Sequence, residues 1–160
     1  MFIVIFFPMN NQILAQGYEI YELTNKPSKD NSSSDKNNNS RLEFYDLSQR
    51  LYNTSYFKNG ELKSKYGDGT PIKITLDDLN SLETLNISDV NYKEVKLITL
   101  SLENESDLNS DVDLSGLSEL SKLKYVFIKC YFNADKQQVE QAIISPKNKI
   151  RVFYTFVNPS

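Results

Sequence analysis

Histidine and tryptophan are both absent from this chain of 160 residues, and it holds a single cysteine, Cys130. Each absence removes some chemistry. Without histidine, Ser-His-Asp and Cys-His nucleophile systems lose their usual base, and His-containing zinc sites are excluded. One cysteine closes no internal disulfide and builds no Cys-only zinc site, so stability must come from a packed core. Acid–base work would fall to carboxylates, lysine or tyrosine. There is no basic run either. The 18 Lys and Arg are scattered among 21 Asp and Glu, giving a net charge of -3 and a pI of about 5.1. Such a surface has no general attraction for nucleic acid or anionic lipid, so no nucleic-acid partner is expected. No nucleophile motif, phosphate-cradling glycine loop or metal-ligand set stands out, which makes an enzyme the less favoured reading.

What is present suits one domain of ordinary soluble composition, with 39% hydrophobic and 24% charged residues. Phe2 to Phe7 form an apolar stretch, interrupted by Pro8 and by Asn10-Asn11 and followed by Ile13-Leu14-Ala15-Gln16. It is far shorter than the roughly 20 residues that cross a bilayer, so no membrane span is expected in the mature chain. Two readings fit it: the core of a secretory signal ending near Ala15, or a buried N-terminal strand. The first is favoured, although no Lys or Arg precedes the apolar run. It divides the chain into a signal segment (1–16), a short strand with an Asn/Ser/Lys-rich tether (17–41) and a single α/β domain (42–160), and it implies a periplasmic or secreted location. The ending Leu14-Ala15-Gln16 resembles signal peptides of Bacteroidetes-type exported proteins.

Tyr18 to Leu23 alternates as a short strand, and Asn25 to Ser40 carries no large apolar residue to offset its ordering entropy. Leu42, Tyr45, Leu47 and Leu51 suggest a short helix. Asn59-Gly60 marks a tight hairpin, because both central residues of a type I′ turn take positive φ. Its setting, Tyr56-Phe57-Lys58-Asn59-Gly60-Glu61-Leu62, is similar to one copy of a MORN-like repeat.

Four strand-like segments follow at a spacing of 26: Pro71 to Leu76, Leu97 to Leu102, Leu123 to Ile128 and Lys149 to Tyr154. Helix signals lie between them. Thr75 with Asp78 suggests a cap before Leu79 and Leu82. Ser115 suggests one before Leu117 and Leu120. Asn133 or Asp135 suggests one before Val139, Ala142 and Ile143, with Pro146 as a stop. Strand, helix, strand at this spacing predicts an α/β fold, a small mostly parallel sheet preceded by a hairpin.

The segments Leu117-x-x-Leu120-x-x-Leu123-x-x-Val126-x-Ile128 and Leu97-x-x-Leu100-x-Leu102 resemble leucine-rich repeats, and the resemblance covers residues 71–157. The family's consensus Asn falls on Glu105 and Tyr131, a departure from its pattern. The resemblance implies a protein-binding surface.

Three sets of residues invite a functional reading. Asp107, Asn109, Asp111 and Asp113 alternate as the oxygen ligands at the start of a calcium loop do, while Val112 stands where the sharp-turn glycine belongs. The other reading is an acidic loop that leads into a helix N-terminus. On an ideal strand, Tyr125, Phe127 and Tyr131 lie on one side, and Val126, Ile128, Cys130 and Phe132 on the other. The first side is either core packing or an aromatic face for a protein partner. Cys130, between Lys129 and Tyr131, reads as a buried small hydrophobe rather than a reactive thiol. Three functions follow in order of preference: a non-catalytic extracytoplasmic protein-binding module, a carboxylate-dependent hydrolase and a calcium-dependent binding module.

Overall fold

The computed structural model describes residues 20–23, 35–144 and 150–157, with backbone alone for 35–40. The signal segment, most of the tether and Pro146 lie outside the described residues. A seven-stranded sheet organises the rest. Its strands are β1 (Ile20–Glu22), β2 (Thr54–Lys58), β3 (Glu61–Tyr66), β4 (Lys73–Leu76), β5 (Leu97–Leu102), β7 (Tyr125–Cys130) and β9 (Arg151–Phe156). Two short strands, β6 (Val112–Asp113) and β8 (Ile143–Ile144), pair with each other apart from it. Three helices complete the fold, α1 (Asp35–Gln49), α2 (Leu79–Thr84) and α3 (Lys136–Ala142). The order across the main sheet is β1-β9-β7-β5-β4-β2-β3, and every pairing is parallel except β2 with β3. The expected mostly parallel α/β sheet with its hairpin is present.

The hairpin forms where Asn59-Gly60 demands it, with φ of 52° and 76°. Its turn is also tied to α2. Asp78 caps that helix by accepting from Ser81 N at 2.8 Å, and its second oxygen accepts from Asn59 N at 2.6 Å. Gly60 N donates to Ser81 Oγ at 3.0 Å. Asp78 is therefore the cap, while Thr75 belongs to β4.

Three other sequence expectations change. The ladder does not step uniformly by 26. Ile74 pairs with Ile98, Ile98 with Val126, and Val126 with Val152, so the steps are 24, 28 and 26. The connection from β5 to β7 holds no α-helix: Glu105–Asn109 and Ser115–Glu119 are 3-10 turns, and the residue before the second turn is Leu114, with no side-chain cap. Finally, α1 begins six residues inside the segment read as a tether and buries Phe44 and Leu47. Leu42 and Tyr45 lie on its exposed flanks, 68% and 42% accessible, and Leu51 falls beyond its end at 79%.

Topology decides which face each connector covers. Apart from the hairpin excursion to β3, the chain moves the same way across the sheet from β2 through β4, β5 and β7 to β9. Parallel crossovers share one hand, so these connectors fall on one face. Packing agrees: Leu82, Val95, Leu117 and Val139 from the connectors share a core with Ile98, Ile128, Cys130 and Tyr154. The step from β1 to β2 runs the opposite way, and α1 accordingly covers the other face. There Phe44, 1% exposed, sits at the centre of an aromatic cluster, with ring centroids 4.3 Å from Phe153, 5.3 Å from Phe127 and 5.7 Å from Tyr125.

Two outcomes follow. Phe44→Ala removes the one large side chain at the centre of this cluster and is expected to cost about 3 kcal/mol or more in urea unfolding followed by tyrosine fluorescence. Asp78→Ala is expected to cost about 1–2 kcal/mol at neutral pH. Burial pushes the Asp78 carboxyl up, but hydrogen bonds from Asn59 and Ser81 outweigh it and hold the group below its ordinary value. A depressed carboxyl contributes stability above its unfolded pKa and loses it as pH falls through the folded one. The gap between the wild type and Asp78→Ala should therefore narrow below about pH 4.

Candidate functional site

The strand register sorts side chains into two faces. Ile98, Val126 and Val152 stand in one row under the connectors. The opposite face carries Lys73, Leu97 and Tyr125 in a first row, then Tyr56, Thr75, Thr99, Phe127 and Phe153, then Ser101, Lys129 and Thr155. α1 covers Leu97, Tyr125 and Phe153, all buried. Tyr56, Thr75, Thr99, Phe127, Lys129 and Thr155 remain partly accessible. Among the described residues, no element other than α1 shares a core with this side.

The three aromatic residues proposed from the sequence separate here. Tyr125 is not available to a partner. It is 3% exposed beneath α1, where its Oη donates to Glu43 at 3.0 Å. Burial, reinforced by that carboxylate, pushes its phenol up. Burial alone would raise Glu43, but its hydrogen bonds with Lys124 and Tyr125 bring it below its usual range. Phe127 is half-buried at the boundary, its ring edge-on to Phe44. Tyr131 follows the end of β7 and is 39% exposed. The structure thus joins Phe127 to residues the sequence reading passed over, above all Lys129, Lys73 and Thr99. The signal was present as small polar or basic residues at alternate positions of three successive strands, Thr75, Thr99, Ser101 and Lys129.

Lys129 Nζ lies over the Phe127 ring, 5.6 Å from its centroid, and so leans back across the face. Lys73 Nζ donates to the Arg50 carbonyl just past the end of α1, at 3.0 Å. Burial lowers the Lys73 pKa, and the positive charge of Lys129 lowers it further. Neither ammonium has a carboxylate partner among the described residues. Lys63, Lys122, Lys124, Lys136 and Arg50 pair with acids, while Lys58, Lys65, Lys93 and Lys96, like these two, form no salt bridge among the described residues.

The proposed calcium ligands do not converge. Asp107 accepts from Glu103 N and Asn104 N as part of a turn cap, and Asp113 accepts from Ser115 N at 2.8 Å. Asn109 and Asp111 face a shallow cleft of about 260 Å³ beside Gln138 and Gln141. Among the described residues no three acidic or cysteine side chains are placed to hold a metal ion. The missing turn glycine explains this. Val112 is buried in β6, which straightens the chain where a calcium loop must fold back. The same cleft bears on the hydrolase reading. Its carboxylates, Glu105 and Asp111, are both exposed, whereas a carboxyl serving as general acid sits in an apolar pocket. Cys130 is fully buried, and burial lifts its thiol to about 11, far from the range of a nucleophile.

No family model matches the chain, and neither the curated proteins nor the solved structures give a match to it.

Because the four candidate calcium ligands are dispersed, millimolar calcium is expected to leave the thermal unfolding midpoint unchanged. A ligand that binds only the folded state would raise it.

Proposed function

We propose that the chain is a non-catalytic, extracytoplasmic protein-binding module whose partner meets the open part of the sheet face beside α1. One observation carries this reading. Parallel sheets are normally covered on both faces, yet here α1 covers only the part around Leu97, Tyr125 and Phe153, leaving Tyr56, Thr99, Phe127 and Lys129 partly accessible. The stacked parallel strands with short connectors are in keeping with the resemblance to leucine-rich repeats, whose usual role is to bind other proteins. The extracytoplasmic part of the proposal rests on the apolar segment before Ala15 and its Ala-Gln ending.

The test places a bulky charge in the middle of the face. Tagged protein is incubated with envelope and secreted fractions of the source organism, alongside Thr99→Arg and, as a control on the connector side, Glu119→Arg. A partner that is retained by wild type and Glu119→Arg but lost by Thr99→Arg supports the reading, provided the variant keeps its thermal midpoint. Equal capture by all three sinks it. N-terminal sequencing of the exported chain checks the location: a start at Gln16 supports export, and a cytoplasmic chain that still carries Met1 opposes it.

A further inference from the structure

The open face has a chemistry of its own. Its floor is hydroxylic, from the partly accessible Thr75 and Thr99 with Ser101 buried beside them, and its rim carries the Phe127 ring with two lysines. Both ammonium groups belong to the same side of the sheet, and each is held in place, Lys129 over Phe127 and Lys73 on the Arg50 carbonyl. Held lysines lose little side-chain entropy when they meet an anion. Neither has an internal counter-charge among the described residues, in a chain where acids outnumber bases by 21 to 18. We infer that the patch bounded by Phe127, Lys129 and Lys73 docks an acidic segment of the partner polypeptide, with carboxylates at the lysines and an apolar side chain against Phe127.

This rests on the open-face reading above and adds to it the charge of the partner. A polypeptide suits the patch better than a long polyanion for two reasons. The positive charge is local, because Asp77 and Glu103 follow directly at the ends of β4 and β5. The partly accessible Phe127 also asks for an apolar contact, which an apolar side chain of a peptide supplies. Complementary charge would mainly speed association and set register, with salt weakening both.

The experiment pans a random peptide library on the purified full chain and maps the strongest binder by amide chemical shifts. Enriched peptides are expected to be rich in Asp and Glu next to an aromatic or aliphatic residue, and to move the amides of Thr99, Phe127 and Lys129. Lys129→Glu should weaken the chosen peptide by about tenfold or more, and Lys63→Glu, on the distant hairpin strand, should leave it unchanged. Enriched peptides with no acidic excess that still map to these amides overturn the acidic partner while leaving the open-face reading intact. Peptides that map elsewhere, or no enrichment at all, overturn both. Heparin binding to the same amides as tightly as the peptide reassigns the patch to a polysaccharide and also overturns the inference.

Discussion

A parallel sheet has two apolar faces to bury, and a chain that always crosses in one direction buries only one of them. That constraint shapes this molecule. The connectors between β2 and β9 lie on a single side because each step across the sheet is taken the same way with the same hand. The opposite side depends on a segment that travels the other way. That segment is α1, and its hold on the sheet is essentially Phe44 among Tyr125, Phe127 and Phe153. A helix of 15 residues is about 22 Å long, roughly five strand spacings, and its ridge is narrower than the face beneath it. Part of the sheet is therefore left without a lid, and the partly accessible residues there are threonines and lysines together with Tyr56 and Phe127.

The fold was legible in the sequence because its signals are local or periodic. Asn59-Gly60 specifies its turn through backbone sterics, and Asn133 or Asp135 marks the start of α3, where the structure places the cap at Asp135. The sequence spacing predicts a uniform 26, whereas the ladder steps by 24, 28 and 26. The error did little harm because each departure is two residues, the period of a strand. A slip of two keeps every side chain on its own face, so the separation of Val126, Ile128 and Cys130 from Tyr125 and Phe127 survived the wrong register. A slip of one would have exchanged core and surface.

The candidate site was less legible, and the reason lies in α1. Nothing near Tyr125 in the sequence says that Phe44, 81 residues earlier, will cover it. Of the expected stripe Leu42, Tyr45, Leu47 and Leu51, only Leu47 faces the sheet, together with Phe44, which that stripe leaves out. With the helix face misjudged, the border between the covered and open parts of the sheet could not be drawn. Lys129 and Lys73 come to one face only in the folded sheet, 56 positions apart in the chain, with β5 between their strands. Even an alternation argument on one strand cannot find a pair that is assembled from two. The acidic loop shows the reverse failure. Asp107 and Asp113 do have the oxygens a cation wants, but backbone amides take them first, which is what such side chains usually do beside a turn.

The two lysines bear on how such a face can be specific. Lys73 costs stability where it sits, since burial and the charge of Lys129 both oppose its protonation. A neutral residue of similar length would avoid that cost and still fill the space beside α1. The threonine and serine floor adds hydrogen-bonding groups without deep side chains, so an incoming segment can approach the sheet closely. Phe127 fixes the edge of that surface through its contact with Phe44, and the stability of α1 and the shape of the open face are set by the same ring.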